Sequence, residues 1–101
     1  MSVIEEIAAE RRRQIEVEGW DPAHDDQHGN GQLGRAAAYY AAHGAAFTYE
    51  APDYALLVSV VSLWPWALEW KKPKDARSNL IRAGALIVAE IERLDREALG
   101  K

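Results

Sequence analysis

The sequence predicts an all-α fold: one domain over residues 1–101, built as a small bundle of three to four helices and completed by homo-oligomerisation. Three observations predict it. Apolar residues recur at helical spacing in three segments. The one β-branched run, around Val58, Val60 and Val61, does not alternate with polar residues and has no second strand to pair with. A chain of 101 residues with 49% apolar content suits a single globular domain.

The first helix is expected over residues 3–18. Ile4, Ile7, Ala8 and Ile15 share a face, Ser2 is placed to cap it, and Gly19 ends it. Glu5, Glu6 and Glu10 precede Arg11, Arg12 and Arg13, the order the helix dipole favours. Residues 20–31, WDPAHDDQHGNG, read as a loop because Pro, Gly, Asn and Asp dominate. A second helix follows over 32–43. Its stripe of Leu33, Ala36, Ala37, Tyr40 and Ala41 is narrow and mostly small, which lets another helix approach closely.

Residues 44–53 read as a loop, 54–63 as a short buried helix, and 64–74, WPWALEWKKPK, as an irregular connection rich in tryptophan. The last helix is expected over 75–99. Leu80, Gly84, Ile87, Ile91, Leu94 and Ala98 repeat at alternating steps of four and three. Between Leu80 and Ile91 only Arg82 and Glu90 are charged. Such a helix is central in its fold or shared with a second subunit.

Composition excludes several functions. With no cysteine there is no disulfide framework, thiolate metal site or cysteine nucleophile. A net charge of −4 argues against a nucleic-acid polymer as partner. No apolar leader core opens the sequence, and the longest uncharged stretch, 54–68, is shorter than the ~20 residues of a membrane span. A cytoplasmic protein without a membrane partner is therefore expected. Phosphate loops and serine-nucleophile elbows are absent.

Three constellations are candidates for chemistry. In HDDQH, His24, Asp25, Asp26 and His28 fall within five residues; with Glu10 upstream, Asp25, Asp26 and His28 form a candidate set for magnesium or manganese. The same run reads equally as a turn whose aspartates cap a helix. Trp20, Trp64, Trp66 and Trp70 are either core anchors or a stacking platform for a base. Lys71, Lys72, Lys74, Arg77 and Arg82, offset by Asp75, are a local basic run in an acidic protein. It leads into a helix N-terminus and is either a solvated face or a phosphate site. Gln14 and Asn79 are candidates to read a base or ribose.

The segments ERRRQIEVEGWDPAHDDQH, RAAAYYA, WPW…WKKPKD and NLIRAGALIVAEIERLD, over about residues 8–96, together resemble a family of small phage and prophage proteins described as MazG-like or as dATP/dGTP diphosphohydrolases. Glu10, Arg11, Gln14, Gly19, Trp20, His24, Asp25, Asp26 and His28 match the first part of the family pattern. Trp64, Pro65, Trp66, Trp70, Lys72, Pro73, Lys74, Asp75 and Arg77 match the second. Three positions depart from it: Ala67 and Asn79 stand where the pattern is acidic, and Lys71 replaces a tryptophan. All-α pyrophosphohydrolases of this kind hold magnesium on E-x-x-E followed by E-x-x-D. This chain has Glu92 and Asp95 at the second spacing and no E-x-x-E at all. Thinned carboxylates beside retained tryptophans and cations imply a protein that sequesters a phosphorylated nucleotide, or a nucleotide-derived defence signal, without cleaving it. The alternatives are a metal-dependent nucleoside triphosphate pyrophosphohydrolase using magnesium or manganese, and an interaction module that inhibits a host enzyme.

Overall fold

A computed structural model describes residues 1–46, 61–66 and 74–100. Those residues form four α-helices and one 3₁₀ turn, with no strand among them. Helix α1 spans Val3–Glu16 and is capped as its sequence suggests. The Ser2 hydroxyl accepts the Glu5 N–H, and the Glu5 carboxylate accepts the Ser2 N–H, both at 3.1 Å. The chain then turns at Gly19, whose φ of +76° lies in the left-handed region. The Trp20 N–H donates to the Gln14 carbonyl at 2.9 Å and folds the connection back against α1.

The segment expected to be a loop contains a short helix, α2, Pro22–Asp26. Its signals are local. The Asp21 carboxylate accepts the His24 N–H at 2.9 Å, and Pro22 sits where a helix start tolerates a missing N–H. The turn-forming composition of the segment concealed them. Helix α3, Gln32–Ala46, runs three residues further than expected. Leu33, Ala36, Ala37 and Tyr40 are buried as predicted, and Tyr39 joins them. Val61–Leu63 form the 3₁₀ turn, which places Trp64 against Tyr39 and Tyr40. The remainder of the helix expected over 54–63 lies outside the described residues.

Helix α4, Ala76–Leu99, is the spine of the molecule and packs against α1, α2 and α3. The Asp75 carboxylate accepts the Ser78 N–H at 2.9 Å to cap it. Its inner face is not the stripe of Leu80, Ile87, Ile91 and Leu94. It carries Asn79, Arg82, Ala83, Ala85, Leu86, Ala89 and Arg93. The reason is steric: α3 presents Ala36 and Ala37, and small residues on α4 allow the two helices their close approach. Leu80, Ile87, Ile91 and Leu94 are left about half exposed, at 50%, 49%, 53% and 50%. On another flank α1 nests on Gly84, where a Cβ would meet Ile7 Cδ1 at 3.1 Å. No helix among the described residues is long and apolar enough to cross a membrane.

Candidate functional site

The first turns of α4 and the middle of α1 enclose an open groove of about 410 Å³. Lys74, Arg77 and Arg82 reach it from the α4 side, and Arg13 reaches it from α1. Glu6 and Glu10 line it too, so four cationic side chains face two carboxylates. The basic run singled out in the sequence is thus gathered on one wall, as far as its residues are described; Lys71 and Lys72 lie outside them. Arg13 was not singled out, although its spacing from Glu10 puts both on one side of α1.

The carboxylates hold the cations in place. Arg77 donates to Glu6 at 2.9 Å, and that guanidinium keeps the Glu6 carboxyl below its ordinary value. Arg13 donates to Glu10 at 2.6 Å and to Glu18 at 3.0 Å, which raises its affinity for its proton further. Arg82 is 9% exposed, with its guanidinium 5.6 Å from the centre of the Tyr40 ring. The Lys74 backbone is gripped at both ends by Asn79. The Asn79 amide oxygen accepts the Lys74 N–H at 2.8 Å, and its nitrogen donates to the Lys74 carbonyl at 3.0 Å. The same nitrogen lies 3.0 Å from His43 Nδ1. Asn79 is wholly buried, so in this structure it fixes the approach to α4 rather than facing the groove. A carboxylate there would have no N–H to give Lys74.

Gln14 is the other expected reader, and its position is different. It is 1% exposed, and its Nε2 donates to Glu10 at 3.2 Å. Its Oε1 has no hydrogen-bond partner. Turning the amide over would set oxygen against a carboxylate, so the Glu10 contact fixes which end is left unpaired. Gln14 lines a cleft of about 10 Å³ shared with Trp20 and Tyr40. Glu10, Arg13 and Arg82 border both this cleft and the groove.

The tryptophans divide. Trp64 is 7% exposed and belongs to the core, its ring 5.1 Å from Tyr39 and 5.6 Å from Tyr40. Trp66 and Trp20 are only partly buried and lie 6.4 Å apart. Both histidines of HDDQH join them: His24 stacks on Trp20 at 6.2 Å, and His28 meets the Trp66 ring edge-on at 5.5 Å. Trp70 lies outside the described residues.

The proposed metal set does not assemble. Arginines take its carboxylates. Glu10 holds Arg13, the wholly buried Asp25 accepts from Arg11 at 2.8 Å, and Asp26 accepts from Arg96 at 2.8 Å. His28 Nδ1 lies 2.9 Å from the His24 carbonyl. Among the described residues, no three His, Asp or Glu side chains are grouped to hold an ion. Arg11 also bonds Glu92, at 3.3 Å, and the Trp20 carbonyl, at 2.9 Å. It therefore ties α1, the 20–25 connection and α4 into one unit. In comparisons with known protein families, characterised proteins and solved structures, nothing matches this chain.

Proposed function

We propose that this chain binds a phosphorylated nucleotide, or a nucleotide-derived signal, and holds it without cleaving it. The groove between α1 and α4 carries the reading: four cationic side chains line one cavity of about 410 Å³, a size suited to a small ligand. Arg13 and Arg77 are fixed beside the groove by Glu10, Glu18 and Glu6, so each guanidinium brings positive charge toward a phosphate there while its fork rests on a carboxylate. Lys74, on a fixed backbone, adds a point charge beside the α4 N-terminus. The partly buried Trp20 and Trp66 offer flat surfaces for a base.

The carboxylates support retention rather than cleavage. Diphosphate hydrolysis of the MazG-like kind needs several acids free to hold magnesium and activate water. Here Glu10, Asp25 and Asp26 are each paired with an arginine. The resemblance to phage and prophage proteins supports a role in the cytoplasm of an infected or lysogenic cell, where sequestering a defence signal would be useful.

The experiment mixes the purified protein with a panel of nucleotides, including cyclic and ADP-ribose-type compounds, with magnesium and manganese present. The mixture is desalted under native conditions, then denatured, and both fractions are chromatographed. Intact ligand released only on denaturation is the expected result. A monophosphate product would instead restore the pyrophosphohydrolase. Retention of nothing would leave the interaction module as the better reading.

A further inference from the structure

We infer, on the reading that the groove holds phosphates, that the cleft at Gln14 selects a base with an exocyclic amino group, whose N–H the Gln14 Oε1 accepts. Among the described residues, that Oε1 is the one buried side-chain polar atom with no hydrogen-bond partner. Gln14 is 1% exposed, so bulk water does not serve it. An acceptor buried in this way costs stability unless a donor reaches it. The Gln14 Nε2 is committed to Glu10 at 3.2 Å, so the side chain cannot turn over to present its nitrogen instead.

The surroundings set what that donor is. The cleft offers about 10 Å³, room for one water-sized group and too little for a ring. A primary amino group projecting from a base meets that limit, whereas a ring N–H is flanked by ring atoms and is held off. A carbonyl oxygen is equally small, but it would set its lone pairs against those of Oε1. Arg13, which borders the cleft, does not relieve this: its Nε, Nη1 and Nη2 are given to Glu10 and Glu18. The cleft also lies where a base would fall. Glu10, Arg13 and Arg82 border both it and the groove, so the two adjoin. Glu6, Glu10 and Gln14 succeed one another at four-residue steps along α1. Glu6 holds Arg77, and Gln14 follows two steps later, about 12 Å along the helix axis. A nucleotide spans a comparable distance between its phosphates and the amino edge of its base.

Equilibrium dialysis of the full chain tests this with ligands matched except at the amino position. The probes are ATP against ITP, CTP against UTP, and ADP-ribose against its hypoxanthine counterpart. In whichever pair is retained, the amino member should bind about tenfold more tightly than its oxo partner. That comparison needs no variant. Gln14→Met should then weaken the amino member severalfold and ease entry of the oxo member, bringing the two within about twofold of each other. A merely structural role for Gln14 would move both members together. Equal binding of the two members by the wild type would overturn the amino preference and leave the phosphate groove standing. So would a parallel loss of both in Gln14→Met. Binding of no member of any pair would remove the groove itself as a phosphate site, and the preference with it.

Discussion

Two charged clusters stand out in this sequence, and the fold uses them in opposite ways. The acids of the 24–28 run are spent within the protein: Asp25 is sealed under Arg11, and Asp26 is tied to Arg96. At the start of α4, Arg77 is steadied by Glu6 yet still lines an open groove with Lys74, Arg82 and Arg13, the last held by Glu10. A cluster closed on itself supports the fold, whereas one that keeps a cavity in front of it is available to a ligand. Proximity in sequence does not distinguish the two; the position of the neighbouring arginines does.

Removing a member of the closed cluster should have the largest effect. Asp25→Ala removes the buried carboxylate from the Arg11 guanidinium, leaving it the half-exposed Glu92 and the Trp20 carbonyl, and loss of one partner from a buried pair typically costs about 3–5 kcal/mol. Urea unfolding should show the unfolding free energy lowered by that amount, read from a lower midpoint at unchanged slope. A loss below about 1 kcal/mol would mean that water reaches Arg11, and the cluster would then count as open.

The open cluster should respond in reverse. Lys74→Ala and Arg77→Ala should each weaken the ligand found by native desalting at least tenfold, with little change in unfolding midpoint. Arg77 is exposed, and its pair with Glu6 lies at the surface. Equal affinity in both variants would remove the groove from the binding site. The wild-type ligand would then have to be sought along Trp20 and Trp66.

How far this contrast was legible in the sequence depends on range. Helix existence, the Ser2 cap and the α3 stripe follow from spacings of three and four residues, and they appear as expected; the Asp75 cap was equally local and was not anticipated. The gathering of Lys74, Arg77 and Arg82 also appears as expected, because one helix start carries all three. What was not legible is set by distant partners. Asp26 meets Arg96 across 70 residues and Asp25 meets Arg11 across 14, and these pairings, with the local one between Glu10 and Arg13, occupy the carboxylates of the metal set. Which face of α4 turns inward is set in the same way. Hydrophobicity marked Leu80, Ile87, Ile91 and Leu94, but the shape of α3 chose the alanine face. The α2 helix is a different failure, since Asp21 and Pro22 announced it locally.

A smaller effect should appear on acidification. The Asp75 carboxyl lies below its ordinary value because it accepts the Ser78 N–H, Glu5 because it accepts the Ser2 N–H, and Glu6 because of Arg77. A lowered value in the folded state means that folding favours the charged form. The stability this gives is complete above the ordinary carboxylate range, around pH 4–4.5, and is lost as pH falls through the folded values. Thermal midpoints should therefore be flat from neutrality to about pH 5 and decline below about pH 4. In Asp75→Asn the decline should be shallower. An unchanged profile would show that the α4 cap does not depend on the charge of Asp75.

The smallest expected effect on stability is also the sharpest probe of the boundary between the two clusters. Gln14 is buried beside the groove with its Oε1 unpaired. A polar group buried without a partner destabilises the fold, so Gln14→Met, which removes it at similar volume, should be neutral or stabilising within about 1 kcal/mol. Glu10 keeps Arg13 as its partner in that variant. If the unpaired oxygen is there to accept an N–H from the ligand, the same substitution should lower affinity severalfold without loss of fold. If instead Gln14→Met clearly destabilises the free protein and leaves affinity unchanged, the oxygen has a partner in the free state, such as a water in the adjoining cleft. Gln14 would then belong with Asp25, on the closed side of the comparison.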